Sequence, residues 1–128
     1  MRRLALVCLV LTGCTPAELA TFTQLDGDSQ HAIVEHVVRD AADRYGVDAD
    51  LYVRIVECES GMRPDAVNRK SGALGLTQQL PQYWPRRAEA LGLDPALWFD
   101  PRVNAEVGAW MLATQGTAPW AESRRCWS

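Results

Sequence analysis

The chain has 128 residues, room for one domain, and 48% of them are apolar, enough for a real core. A formal net charge of −3 and a pI near 5.3 argue against nucleic acid as a partner, because a phosphate-binding surface is basic. Two histidines, with no metal-ligand spacing, phosphate loop or Ser/His/Asp set, leave little for nucleophilic catalysis, and no metal or cofactor is expected.

The N-terminus reads as an address. Arg2 and Arg3 form a short basic region and Leu4 to Leu11 a short apolar one, far too short to cross a bilayer as a permanent helix. Leu11-Thr12-Gly13-Cys14 follows, and it resembles the lipobox of bacterial lipoproteins. The resemblance implies that residues 1–13 are a signal peptide and that Cys14 is lipidated and becomes the mature N-terminus. Such a protein lies on a membrane without crossing it, on the outer side of the cytoplasmic membrane or in the outer membrane. Cys8 would leave with the signal and Cys14 would carry lipid. Cys58 and Cys126 then keep thiols in an oxidising compartment, and they are expected to pair. The loop closed, about 69 residues, is worth roughly 4 kcal/mol by the chain-entropy argument.

Residues 14–28 are polar with no clean period and read as the lipidated cysteine and a tether. Residues 29–128 read as the domain. Ser29 stands as an N-cap, and Ile33, Val37, Val38, Ala41, Ala42 and Tyr45 follow at helical spacing until Gly46. His31 and His36 fall on the solvated side, and Glu35 and Arg39 form an i,i+4 pair. Asp48 or Asp50 caps a second helix, with Leu51, Ile55 and Cys58 on one face and Tyr52 and Val56 beside it. Gly61 ends it and Pro64 prevents its continuation. Glu57 and Glu59 lie two residues apart, about 200° around a helix, so they cannot share a face. Periodicity does not choose between them.

Pro64 to Gly75 shows neither helical nor strand period and fits a short β-hairpin or an irregular loop. Pro81 to Leu91, with Tyr83, Trp84, Ala88 and Leu91, reads as a third helix opened by a proline. Asp94-Pro95 starts a single turn. Asp100-Pro101 repeats the cap-plus-proline signature for a fourth helix, with Val103, Val107, Trp110 and Met111 inward and Gly116 at its end. The tail holds Pro119, Trp120, Cys126 and Trp127. Trp84, Trp110 and Trp120 could each stack on a sugar ring, though in a domain this small each reads first as core; Trp84 is the candidate sugar contact among them because it follows the glycine turn.

Glu59-Ser60-Gly61, Pro64-Asp65-Ala66-Val67-Asn68, Gly72-Ala73, Gly75-Leu76-Thr77-Gln78 and Pro81 come in this order, followed by Asp100-Pro101, Asn104 and Gly108. This ordered set resembles the catalytic core of lytic transglycosylases and goose-type lysozymes. The resemblance covers roughly residues 31–115. It implies a mostly α, small lysozyme-like domain with a short loop or hairpin after the catalytic helix. By position Glu59, the acid directly before Ser-Gly, is the catalytic residue and Glu57 is not. Ser60 and Gln78 would hold the sugar or orient the acid. Thr77 stands where the family commonly has Met, and no Ala-Tyr-Asn-like step follows the Asp-Pro helix. In its place come Gly116, Pro119-Trp120, Ser123 and Cys126-Trp127.

The implied substrate is peptidoglycan and the implied reaction cleavage of the MurNAc-GlcNAc β-1,4 bond with 1,6-anhydro-MurNAc formation. A glutamic acid that serves as acid near neutral pH must be held protonated by burial. The motif holds one acid, whereas ordinary glycosidases use two carboxylates; the resemblance implies that Glu59 works twice, as acid and then as base. A lysozyme-type hydrolase is the alternative, with Asp65 or Asp100 as second carboxylate. An inactive lipoprotein that binds glycan or another enzyme is the other. A monomer is expected.

Overall fold

The computed structural model describes residues 13–128. The reading of the first twelve residues as a signal lies outside them. The described chain is mostly α, as expected: α1 (Pro16–Thr23), α2 (Gly27–Tyr45), α3 (Ala49–Ser60), α4 (Trp84–Ala90), α5 (Pro101–Gln115) and α6 (Arg124–Trp127), with 3-10 turns at Pro95–Leu97 and Ala118–Ser123. No described helix is long and apolar enough to cross a membrane.

α5 is the centre of the domain. From Pro101 to Ala109 every residue is buried, so this part of the helix has no solvent face and its polar residues need partners. Arg102, 2% exposed, reaches Asp40 at 2.8 Å and Glu106 at 3.6 Å. Arg44 closes the group by pairing with both Asp40 and Glu106. Asp100 caps the helix, its Oδ1 accepting from the N–H of Arg102 at 2.8 Å and of Val103 at 3.3 Å. Its Oδ2 accepts from the N–H of Cys14 at 2.7 Å.

α2 lies along α5 and buries Val34, Val37, Val38, Ala41 and Ala42, the stripe expected from its spacing, each valine being worth about 1.5–3 kcal/mol of burial. α3 packs against α2, reaches α5 through Tyr52, and buries Tyr52, Ile55, Val56 and Ser60. Tyr52 donates its hydroxyl to the Ala105 carbonyl at 2.6 Å. Gly108 makes that approach possible. A Cβ there would stand 2.3 Å from Tyr52 Oη and 2.5 Å from Thr77 Cγ2. The expected face of α3 is thus rotated: Leu51 and Cys58 are only partly buried at its flank.

Two expectations are corrected near the N-terminus. Residues 15–28 are not an unstructured tether. Thr15 and Glu18 form a reciprocal capping box, Pro16 occupies the first turn, and α1 follows. α1 buries no residue fully, which is why no hydrophobic period announces it. α2 starts two residues before Ser29, and Asp26 is its cap, accepting from the Ser29 N–H at 2.7 Å.

The segment after α3 resolves the hairpin-or-loop alternative between the two. Isolated antiparallel bridges join Val67 to Leu74 and Leu74 to Gln79, with no strand longer than that. The disulfide between Cys58 and Cys126 is present and ties the last turn of α3 to α6 across 68 positions of sequence. Arg54 Nε adds a bond to the Trp127 carbonyl at 3.0 Å.

Candidate active site

α3 delivers Glu59 on its last turn. Asp48 caps the start, its side chain accepting from the Leu51 N–H at 3.1 Å. Gly61 takes the left-handed conformation at φ 62° and stops the helix two residues past Glu59. The choice that periodicity left open is settled by packing. Glu57 points outward and pairs with His31 Nε2 at 2.8 Å, both side chains over 40% exposed. Glu59 is half-buried and lines a cleft of about 450 Å³.

One wall of the cleft is the segment from Asn68 to Leu80. Its shape is set by backbone geometry. Gly75 sits at φ 73°, where a Cβ would stand 2.3 Å from Asn104 Nδ2 and 2.8 Å from the Trp98 carbonyl. Gln78 is left-handed at φ 55°, an uncommon conformation for a side-chain-bearing residue. Its amide nitrogen donates to the carbonyls of Gly75 at 3.0 Å and Ala66 at 3.3 Å. That commits the nitrogen and leaves Oε1 as the end suited to accept a bond from a ligand. Asn104 of α5 braces this wall from below. Its Oδ1 accepts from Thr77 N–H at 3.0 Å and Thr77 Oγ1 at 2.6 Å, while its Nδ2 donates to Trp98 and Leu74 carbonyls. Thr77, the residue that departs from the family's methionine, is 1% exposed and also accepts from Gln79 Nε2 at 2.8 Å. The threonine therefore belongs to a buried polar network in which each group is paired.

The tail forms the other wall, with Ala118, Pro119, Trp120, Ala121 and Glu122 facing the cleft. Trp120 is 4% exposed and donates its indole N–H to the Thr77 carbonyl at 3.1 Å, which joins the two walls. Ser123 brings its Oγ to 2.5 Å from Glu59 Oε2. The pair was not foreseen. A signal for it did exist: Cys58 precedes Glu59, Ser123 stands three residues before Cys126, and the cysteines pair.

The Glu59 carboxyl is pushed above the usual carboxylate range. Burial is the main cause; the Ser123 bond acts against it, and the charge of Glu122 adds to it. The cleft thus provides a carboxylic acid biased toward its protonated form beside an open space lined by polar and apolar groups.

Two sequence expectations are corrected here, and the hydrolytic alternative loses both of its candidate carboxylates while the cap expected at Asp100 is found. Ser60 is 4% exposed and donates its hydroxyl to the Val56 carbonyl at 3.1 Å, so it faces the core and not the cleft. Trp84 is 2% exposed with its indole N–H on the Pro95 carbonyl at 2.7 Å; it is a core residue, not a sugar platform. Of the candidate second carboxylates, Asp100 is a fully buried cap, and Asp65 lines a different groove, of about 540 Å³, between α1, the start of α2 and Gly61–Asp65. The carboxylate that shares the cleft with Glu59 is Glu122. Among the described residues no group of His, Cys, Asp and Glu could hold a metal ion.

Residues 36–119 match the family model of the Transglycosylase SLT domain. The membrane-bound lytic murein transglycosylase C of Edwardsiella ictaluri (strain 93-146) is 35% identical over 85 residues, which is 60% of this chain and 23% of that protein. The chain spans less than a quarter of the length of that relative. No solved structure matches. The matched span runs from α2 through the cleft to Pro119 and contains Glu59, Gln78 and Asn104, and on that ground the chain belongs to the transglycosylase SLT domain family.

Proposed function

We propose that the chain is a peptidoglycan lytic transglycosylase that cleaves the MurNAc-GlcNAc β-1,4 bond, with Glu59 as acid and then base. The observation that carries the reading is Glu59 itself: half-buried at a cleft, with its carboxyl biased toward the protonated form. In the first step the Glu59 carboxyl gives its proton to the glycosidic oxygen and the C1–O bond breaks. Positive charge grows at C1, and the neighbouring N-acetyl group stabilises it. In the second step the Glu59 carboxylate takes the proton of the muramic acid's own 6-hydroxyl. O6 then bonds C1, a 1,6-anhydro ring closes and Glu59 is again protonated. No water is consumed, and the nucleophile arrives already tethered. Gln78 Oε1 is the proposed sugar contact on the facing wall.

Hydrolysis of the same bond is the second reading, and Glu122 favours it as a carboxylate in the same cleft. Digestion of purified peptidoglycan separates the two. Products lighter by one water than hydrolytic ones, absent with Glu59→Gln, support the transglycosylase. Reducing ends turn the assignment to a lysozyme. No product from either protein, with both folded, leaves a glycan- or enzyme-binding domain.

Export and lipidation at Cys14, holding the protein at the outer side of the cytoplasmic membrane or in the outer membrane, is part of the same proposal. It rests on Leu11-Thr12-Gly13-Cys14, and the relative's printed name, membrane-bound, agrees with it. Mass spectrometry of the N-terminal peptide from expressing cells tests it: a diacylglyceryl adduct on a peptide beginning at Cys14 is expected, and an unmodified peptide beginning elsewhere refutes it.

A further inference from the structure

The tail of this chain holds a hydroxyl against the acid of the cleft, and the bonding around that hydroxyl decides where its proton points. Ser123 Oγ lies 2.5 Å from Glu59 Oε2, 3.1 Å from the Trp120 carbonyl and 3.1 Å from Trp127 Nε1. Trp127 Nε1 also lies 3.2 Å from the Trp120 carbonyl. A serine hydroxyl has one proton to donate and two lone pairs to accept with. It cannot donate to Glu59 and to Trp120 at once.

One proton decides the direction. To protonate the glycosidic oxygen, Glu59 must carry its proton on Oε1; Oε2 is then the carbonyl oxygen and accepts the Ser123 O–H. With Glu59 ionised, Oε2 is a carboxylate oxygen and keeps the same donor, in a stronger bond. The Trp120 carbonyl keeps the indole N–H of Trp127 in both states. The proton of Ser123 stays on Ser123 throughout.

We propose that Ser123 is a positioning residue that holds the same oxygen of Glu59, Oε2, in both its acid and its base role, leaving Oε1 for the substrate. The proposal deepens the transglycosylase reading and rests on it. A donor on Oε2 fixes the carboxyl while Oε1 gives its proton and takes one back. A neutral hydroxyl does this without the full charge of a cationic partner, which would hold Glu59 as the anion.

The surroundings keep the hydroxyl in place. Trp120 and Trp127 are 4% and 5% exposed. The Trp120 indole is fixed on the Thr77 carbonyl. The Cys58–Cys126 disulfide anchors the next turn of the tail to the residue beside Glu59. Ser123 is therefore set by the tertiary frame and not by a mobile end of the chain.

The test is the titration of the Glu59 carboxyl, followed by carbon NMR, beside the pH–rate profile on peptidoglycan, for wild type, Ser123→Ala and Ser123→Thr. Removing the hydroxyl deprives the anion of its bond, so Ser123→Ala is expected to move the Glu59 titration to higher pH. The alkaline limb of the rate profile should move with it. The maximal rate should fall about 10- to 100-fold, the range for a hydrogen bond to a charged group, with KM little changed. Ser123→Thr, which keeps the hydroxyl, should restore both the titration and the rate. If Ser123→Ala does not fold, Trp127→Phe gives the second handle: it takes the indole N–H from the Trp120 carbonyl, draws Ser123 toward that carbonyl, and should move the Glu59 titration the same way by less. A Glu59 titration that stays in place in the folded variants overturns the proposal. The NMR readout decides the role of Ser123 even if the wild-type protein yields no product, an outcome that would remove the transglycosylase reading instead.

Discussion

The two walls of the cleft are built by different physics. The wall from Asn68 to Leu80 is a backbone structure. Gly75 and Gln78 take left-handed conformations, the chain folds back on itself through bridges at Leu74, and Asn104 of α5 bonds the Thr77 N–H and the Leu74 carbonyl. The wall from Ala118 to Trp127 is a side-chain structure. It is a 3-10 turn and four residues of helix, held by two indoles, one hydroxyl and a disulfide to partners far away in sequence. The first wall depends mainly on what each residue's backbone permits, with Asn104 as its brace, the second on what the rest of the molecule presents to it. Substitutions that probe them should therefore fail differently.

The largest effect belongs to the group between the walls. Glu59→Gln should abolish measurable turnover, a loss of at least about 10²–10⁴-fold for a proton-transfer residue, while the melting temperature near neutral pH stays the same or rises. The sign follows from the direction of its shift. A carboxyl whose folded pKa lies above the unfolded one adds stability at low pH, and that stability is lost as pH rises through the folded value. Glutamine does not ionise, so the variant should lose less stability than wild type over that rise. Activity that needs the acid form should fall over the same interval. Thermal melts and initial rates across pH check both, and a wild type with no alkaline limb contradicts the acid role.

Gly75→Ala tests the backbone wall. Left-handed strain and contact with Asn104 and the Trp98 carbonyl together should cost about 2–5 kcal/mol, read by denaturant unfolding. Activity should be lost with the wall's shape. Removing the disulfide with a Cys58→Ser, Cys126→Ser double substitution tests the other wall. A loss of about 2–4 kcal/mol is expected, together with a slower rate, because the tail that carries Ser123 loses its anchor. If the two variants lose stability equally but only the glycine variant loses rate, the tail is a clamp on the fold and not a wall of the site. The smallest effect is expected from Thr77→Val. It keeps the shape but leaves Asn104 Oδ1 without the hydroxyl and Gln79 Nε2 with only the Met111 sulfur to donate to, about 1–3 kcal/mol, with Glu59 untouched.

The corrections show where sequence reasoning loses information. α1 is present in the chemistry of Thr15-Pro16-Ala17-Glu18, a capping box with proline in the first turn, but it buries nothing fully and so has no period to detect. Ser60 stands one residue from the acid in the motif. On a helix that is 100° of rotation, which takes it from the cleft into the core, where it bonds back to Val56. Trp84 follows the glycine turn in sequence, yet its large apolar surface is buried beneath it, and the one polar atom of the ring finds the Pro95 carbonyl.

What the residues determined unaided is local. Caps at Asp94 and Asp100, stops at Gly46, Gly61 and Gly116, and the glycine turn at Gly75 follow from φ/ψ limits and from the bonds that orphaned N–H groups require, and the cap of α3 is narrowed to Asp48 or Asp50. These depend on a few neighbouring residues, so they are legible in order along the chain, as is the placing of an acid at the end of α3. Between Glu57 and Glu59 periodicity is silent, and packing turns to the cleft the acid that the ordered motif marks; the tertiary structure alone decided that Glu122 and not Asp65 or Asp100 shares the cleft, and that Ser123 meets Glu59 across 64 positions. Each of those outcomes is a direction in space, set by how helices rotate to bury α5. A direction set by packing belongs to all the packed residues together and is written in no one stretch of sequence.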